Sequence, residues 1–127
     1  MIDIDEVRKI HSILISQFGG GEGIRDFRSL ESALQTPFQT FDNQELNETP
    51  IEKAAALIEG ILLNHPFVDG NKRTGYVIMR LYLMSNQMDL QASQDEKYEF
   101  VISIAEGKLK KSGIEKWIRN RIIKTEP

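Results

Sequence analysis

The sequence predicts an all-α fold: a single domain over residues 1–127, built as a helical bundle with two central buried helices flanking a motif loop. Three observations carry that expectation. Helix-start signatures of the cap-x-x-Glu type recur along the chain, and apolar residues repeat behind them at helical spacing. Two segments, residues 51–63 and 76–84, are apolar almost all the way round, which is the mark of interior helices. No strand-length alternation competes with this pattern, and no repeat of 20–50 residues is present.

The first helix is announced by Asp3 with Glu6 and carries a stripe of Val7, Ile10, Leu14 and Phe18. Gly19, Gly20, Gly21 and Gly23 stop it and open a loop. These glycines do not fit a dinucleotide fingerprint, and no strand precedes them. Leu30, Ala33 and Leu34 indicate a short helix that ends at Thr36-Pro37, because the residue before proline avoids the helical region. Residues 38–48 are polar and turn-rich, long for a passive connector in so small a chain. Thr49 with Glu52 starts the first interior helix, with Pro50 at the position where its missing N–H is harmless. Ser93 with Glu96 precedes Phe100, Val101 and Ile104, and Ser112 with Glu115 precedes the stripe Ile114, Trp117, Ile118 and Ile122. The aromatic and aliphatic stripes read as core.

Composition narrows the classes of function. With no cysteine, a disulfide framework, Cys-ligated zinc and iron–sulfur clusters are excluded. Sixteen Lys and Arg against nineteen Asp and Glu leave a net charge of −3, a poor balance for coating nucleic acid or an anionic membrane. The remaining basic runs, Lys108-Lys110-Lys111 and Arg119-Arg121-Lys124, read as solvated helix faces. The acidic opening Met1-Ile2-Asp3-Ile4-Asp5-Glu6 lacks the basic start of a signal peptide, and no apolar stretch reaches membrane-spanning length. The expectation is a soluble cytoplasmic protein whose partners are neither nucleic acid nor membrane.

Between the two interior helices lies His65-Pro66-Phe67-Val68-Asp69-Gly70-Asn71-Lys72-Arg73-Thr74. Pro66 ends the first helix, and Asp69-Gly70-Asn71 is a turn sequence after which the next helix starts near Asn71 or Lys72. The first turn of a helix already carries positive charge from its free N–H groups, so Lys72 and Arg73 there are unfavourable by a few tenths of a kcal/mol each unless an anion arrives. Those N–H groups, Gly70 for close approach, Lys72, Arg73 and the Thr74 hydroxyl together describe a phosphate cradle, without Walker spacing. Asp69 beside it is suited to Mg²⁺, which takes one or two protein carboxylates and keeps several waters. His65, across the turn, is suited to accept a proton from an attacking hydroxyl. Together they outline phosphoryl or nucleotidyl transfer.

Each residue taken alone has a plainer account. A His before Pro is often a helix C-cap, Asp-Gly-Asn is usually a turn, and adjacent basic residues are usually solvated. Phe67 reads as a core plug with no chemical role. His11 lies inside the first helix without a ligand partner and reads as a packed or half-exposed helix residue. Only the combination in one turn favours chemistry.

The ten residues 65–74 resemble the signature of the Fic/Doc family, H-x-F-x-[D/E]-G-N followed by basic residues. The flanks Gly23-Ile24-Arg25-Asp26, Leu30-Glu31-Ser32-Ala33-Leu34 with Pro37, Glu52-Lys53-Ala54-Ala55-Ala56-Leu57, and Glu106-Gly107 followed by Trp117 are similar to its Doc (death-on-curing) toxin subgroup. The AMP-transferring branch typically reads G-N-G-R-x-x-R. Here Lys72 replaces the second Gly and Tyr76 the final Arg, which are features of the Doc branch. That resemblance implies a Fic-like helical fold and a toxin that transfers the γ-phosphate of ATP to a threonine of elongation factor Tu. It implies His65 as base, Asp69 as Mg²⁺ ligand, and Gly70, Asn71, Lys72 and Arg73 as phosphate binders.

The same resemblance makes residues 38–48 the flap that pairs with target backbone. Ser103-Ile104-Ala105-Glu106-Gly107 has one spacer too few for the inhibitory motif of Fic proteins, so restraint is expected from a small antitoxin partner. An adenylyltransferase and a catalytically silent partner-binding module are the alternatives.

Overall fold

The computed structural model describes residues 2–125. Asp3 caps α1 (Ile4–Phe18), accepting from the Asp5 N–H and not from Glu6. Asp26 caps α2 (Phe27–Gln35) through the Ser29 N–H, and a 3-10 turn, Thr36–Phe38, follows at Pro37. Thr49 caps α3 (Pro50–Asn64) as its sequence indicates. α4 (Asn71–Met84) begins after Gly70, with no side-chain cap. Ser93 and Glu96 form a full capping box on α5 (Gln94–Ala105). The fourth signature misplaces its helix: α6 (Lys111–Arg121) starts after Lys110, so Ser112 lies within the first turn.

Among the described residues, six helices and only short strands bear out the all-α class. α3 is the central element, packed against α2, α4, α5 and α6. Its Ala54, Ala55, Leu57, Ile58, Ile61 and Leu62 are buried. α4 is interior on one side only: Ile78, Met79 and Leu83 face the core, while Leu81 and Met84 are exposed. Gly75 lets it cross α3 closely, since a Cβ there would overlap Leu62 Cδ1. The buried stripe of α1 is Val7, His11 and Ile15, one step round from the apolar set expected of it, with Phe18 left exposed. No helix among the described residues is long and apolar enough to cross a membrane.

Two pairs of strands fall outside the sequence-based expectation. β1 (Thr40–Phe41) and β2 (Gln44–Glu45) form an antiparallel hairpin within residues 38–48. Its turn, Asp42-Asn43, places both residues at positive φ, the geometry that matches strand twist in a two-residue hairpin. β3 (Met88–Leu90) pairs with β4 (Ile122–Lys124), so Ile122 belongs to a strand and not to the α6 stripe.

The hairpin is pinned from below. Asn47 is buried and donates to the Pro37 carbonyl. The Lys53 ammonium of α3 donates to the Asn47 carbonyl at 2.6 Å and lies 3.5 Å from Glu45. Lys111 of α6 donates to the Asn47 side-chain oxygen. Lys111 and Arg121, which is bonded to Glu96, are therefore engaged and not simply solvated.

Arg80 of α4 grips Asp89 of β3 through two hydrogen bonds, 2.7 and 3.0 Å. Those bonds hold the Asp89 carboxyl below the usual carboxylate range, against a smaller opposing effect of burial. A carboxylate depressed in the folded state stabilises above its unfolded pKa and loses that contribution as pH falls through the folded value. Unfolding followed downward from neutral pH should lose this contribution below about pH 4. Arg80→Met should remove that part of the acid sensitivity; the effect is modest, because the Arg80 side chain is half-exposed.

Candidate active site

The segment 65–70 is a loop held on every side. Its entry is His65, which closes α3 at φ 48°, ψ 55°, a left-handed conformation unfavourable for any residue with a Cβ. Arg25 supports that turn by donating from Nε to the His65 carbonyl and from Nη2 to the Asn64 carbonyl, at 2.7 and 2.8 Å. These carbonyls are among those a helix C-terminus leaves without partners. Arg25 anchors the loop through carbonyls rather than through a salt bridge, and its neighbour Asp26 serves α2.

The chain after the glycine loop runs alongside. The N–H groups of Arg25 and Asp26 donate to the Pro66 carbonyl, Ile24 bridges Phe67, and the Val68 N–H donates to the Gly23 carbonyl. Asn71 closes the loop on itself: its Oδ1 accepts from the Phe67 N–H and its Nδ2 donates to the Phe67 carbonyl, both at 3.0 Å. The Asn71 side chain is thereby committed to the loop, leaving its backbone N–H at the start of α4. Phe67 is 1% exposed and plugs the core, as its sequence suggests.

His11 turns out to be part of this construction. It is buried against the Phe67 ring, stacked with centroids 3.9 Å apart and planes within 8°. Its Nε2 lies 2.7 Å from the Asp69 carbonyl. A carbonyl only accepts, so Nε2 carries the proton. The signal in the sequence was a polar residue interrupting an apolar stripe, but its partner is 58 residues away.

Asp69 is fixed from the other side: Oδ2 accepts the Gly21 N–H at 2.6 Å. A side chain on Gly20 or Gly21 would press on Asp69 and Val68 at about 3.0–3.1 Å, so these glycines give the close approach the loop needs.

The loop opens on a cavity of about 610 Å³. His65, Asp69, Gly70, Asn71, Lys72 and Arg73 line one wall, so six of the seven site residues expected from the sequence come together. Thr74 does not line the cavity. It is wholly buried, its N–H donates to the Gly70 carbonyl within the helix start, and its hydroxyl has no partner among the described residues. Gly70 at φ 78° leaves the α4 N-terminus uncapped and facing the cavity. Neither Lys72 nor Arg73 forms an ion pair among the described residues; the Arg73 guanidinium rests 4.0 Å above the exposed Phe18 ring. A helix start with free amides and two cations outside any ion pair is suited to an anion.

No group of three or more metal-ligating side chains occurs among the described residues. The Asp69 carboxylate nonetheless fits a magnesium ion: one oxygen accepts from Gly21, the other has no hydrogen bond among the described residues, and it would be the protein ligand of such an ion.

The opposite wall comes from α5, whose contribution the sequence reading did not foresee, although residues 94, 97, 98 and 101 fall on one helical face.

A model of the Fic/DOC family matches residues 1–83. The chain is also similar to Toxin Doc of Mycolicibacterium smegmatis (strain ATCC 700084 / mc(2)155), 36% identical over 78 residues that cover 61% of this chain and 60% of that protein. It thus spans about three-fifths of the length of this curated relative. The family match contains the whole motif loop, while α5 and α6 lie beyond it.

Proposed function

The chain belongs to the Fic/DOC family, and from that premise we propose that it is a Doc-type toxin of a toxin–antitoxin system, transferring the γ-phosphate of ATP to a threonine hydroxyl of a protein target. Elongation factor Tu is the target class the resemblance implies, and a small antitoxin the partner. The observation that carries the reading is the left-handed His65 sharing one cavity with the uncapped α4 N-terminus, Lys72 and Arg73.

In this reading the amides of Gly70, Asn71 and Lys72, with the Lys72 and Arg73 heads, hold phosphate oxygens. A ring nitrogen of His65 takes the proton of the acceptor hydroxyl. The acceptor oxygen bonds to the γ-phosphorus, the bond to the β–γ bridging oxygen breaks, and ADP leaves with that oxygen. Asp69 would hold Mg²⁺, which neutralises charge on the phosphate oxygens when bound. Tyr76, where AMP-transferring relatives have arginine, puts a phenol ring and no guanidinium on the cavity floor, which favours phosphoryl over adenylyl transfer.

The test is to incubate the protein with Mg²⁺ and ATP labelled at either the γ- or the α-phosphate. Label from γ alone should appear on a protein target and vanish with His65→Ala. Label from α would instead make the protein an adenylyltransferase. Growth inhibition unchanged in His65→Ala would make it a non-catalytic partner-binding module. Lys72→Ala should weaken ATP binding by roughly tenfold, the loss of one charge-assisted phosphate contact. The same variant should unfold no more easily, because it removes a cation from a positive helix end.

A further inference from the structure

Resting on the phosphate reading above, we propose that Phe18 is a positioning residue for that site: its ring holds the Arg73 guanidinium in place at the cavity wall without neutralising it. Phe18 is the last residue of α1 and ends the apolar stripe that its spacing suggests, yet it is 58% exposed and lies outside the hydrophobic core. Core packing therefore does not account for an aromatic ring at this position. The ring's contact is with Arg73, whose guanidinium carbon stands over its face, 4.0 Å from the centroid. That is well inside the ~6 Å reach of a cation–π contact.

Arg73 gains from such a support. It sits in the first turn of α4, where the helix dipole disfavours a cation, and it is exposed. A long, free side chain loses rotamer freedom when a ligand fixes it, and that loss weakens binding. A carboxylate partner would order the guanidinium but compete with phosphate for its N–H groups. A ring face orders it and leaves those groups open. Among the described residues, the guanidinium hydrogen bonds belong to Arg25, Arg80 and Arg121, and the arginine ion pairs to Arg80, Arg119 and Arg121. Arg73 is thus held at its face and free at its donors. The same stretch of chain serves the other charge of the motif: three residues past Phe18, the Gly21 N–H holds Asp69 Oδ2 at 2.6 Å. Gly19, at φ 86°, turns the chain between these two contacts. The end of α1 therefore sets both a cation and a carboxylate of a loop about fifty residues away in sequence.

Calorimetric titration of the full chain with ATP and with inorganic tripolyphosphate tests the platform. Phe18→Ala should weaken both by roughly three- to fivefold, the size of a cation–π contact near the surface. Phe18→Tyr should bind as the wild type does, whereas Phe18→Leu, apolar but without a π face, should bind as Phe18→Ala does. In an Arg73→Ala background, Phe18→Ala should have no further effect, because the ring then has nothing to hold. The unfolding midpoint in urea should not fall with these losses; a matching fall would make the ring a structural support of α1 and overturn the proposal. Full rescue by Phe18→Leu, a further loss in the Arg73→Ala background, or no loss at all overturns the platform and leaves the phosphate site standing. So does tighter binding by Phe18→Ala, which would mean that the ring keeps Arg73 away from phosphate. Wild-type protein that binds neither ligand overturns the phosphate reading and the platform together.

Discussion

Replacing His65 with glycine should abolish transfer and stabilise the protein at the same time. Loss of a positioned general base is worth about a hundredfold to ten-thousandfold in rate, and a thousandfold drop is the central expectation. The stability gain has a separate source. His65 sits at φ 48°, where a Cβ is crowded at a cost of about 1–2 kcal/mol, whereas glycine occupies that region freely. Glycine's looser unfolded chain offsets roughly 0.5–1 kcal/mol of the relief, so a net gain of about 0.5–1 kcal/mol is expected by urea denaturation. The exposed side chain of His65 leaves no cavity behind. A variant that loses activity together with stability would mean that the imidazole holds the turn rather than serving the reaction. Opposite signs for the two measurements identify a residue kept in an unfavourable backbone conformation for the position of its side chain.

Phe67→Ala should have the largest effect on stability, about 3–5 kcal/mol. The ring is fully enclosed, belongs to the central core and stacks on His11, so its removal leaves a void under the motif loop and an imidazole without a face to lie on. A domain of this size has roughly 5–15 kcal/mol to lose, so the unfolding midpoint in urea should fall sharply at unchanged slope. A loss below about 1 kcal/mol would mean that the loop rests on its hydrogen bonds alone. Because the loop is tied at Asn71, Gly21, Gly23 and His11, ATP affinity should fall with stability.

Local signals were legible in the sequence and distant ones were not. Thr49, Ser93 and Pro50 act within one helical turn, so their roles follow from spacing alone. The interior character of α3 follows from its composition for the same reason. Ser112 fits the capping pattern but is overridden, because the chain is already helical at Lys111. The Asp42-Asn43 turn lacks the glycine that marks most such hairpins, and its strands are only two residues long, too short for alternation to register. At the site, the motif residues are contiguous, so six of them share a cavity by construction. His11, Arg25, Gly21 and the α5 wall reach the loop only through tertiary packing. Thr74 shows the limit of contiguity: three residues past the start of α4, the helix has rotated its side chain to the buried side.

Asn47 joins parts of the molecule that differ in how far the family reaches. Lys53, which grips its backbone, falls within residues 1–83, whereas Lys111, which grips its side chain, does not. Cutting the chain back to its recognised portion would therefore do more than strip an outer layer from α3. It would leave the hairpin fastened at one corner instead of two, so the C-terminal third acts as a brace for a distant edge of the molecule.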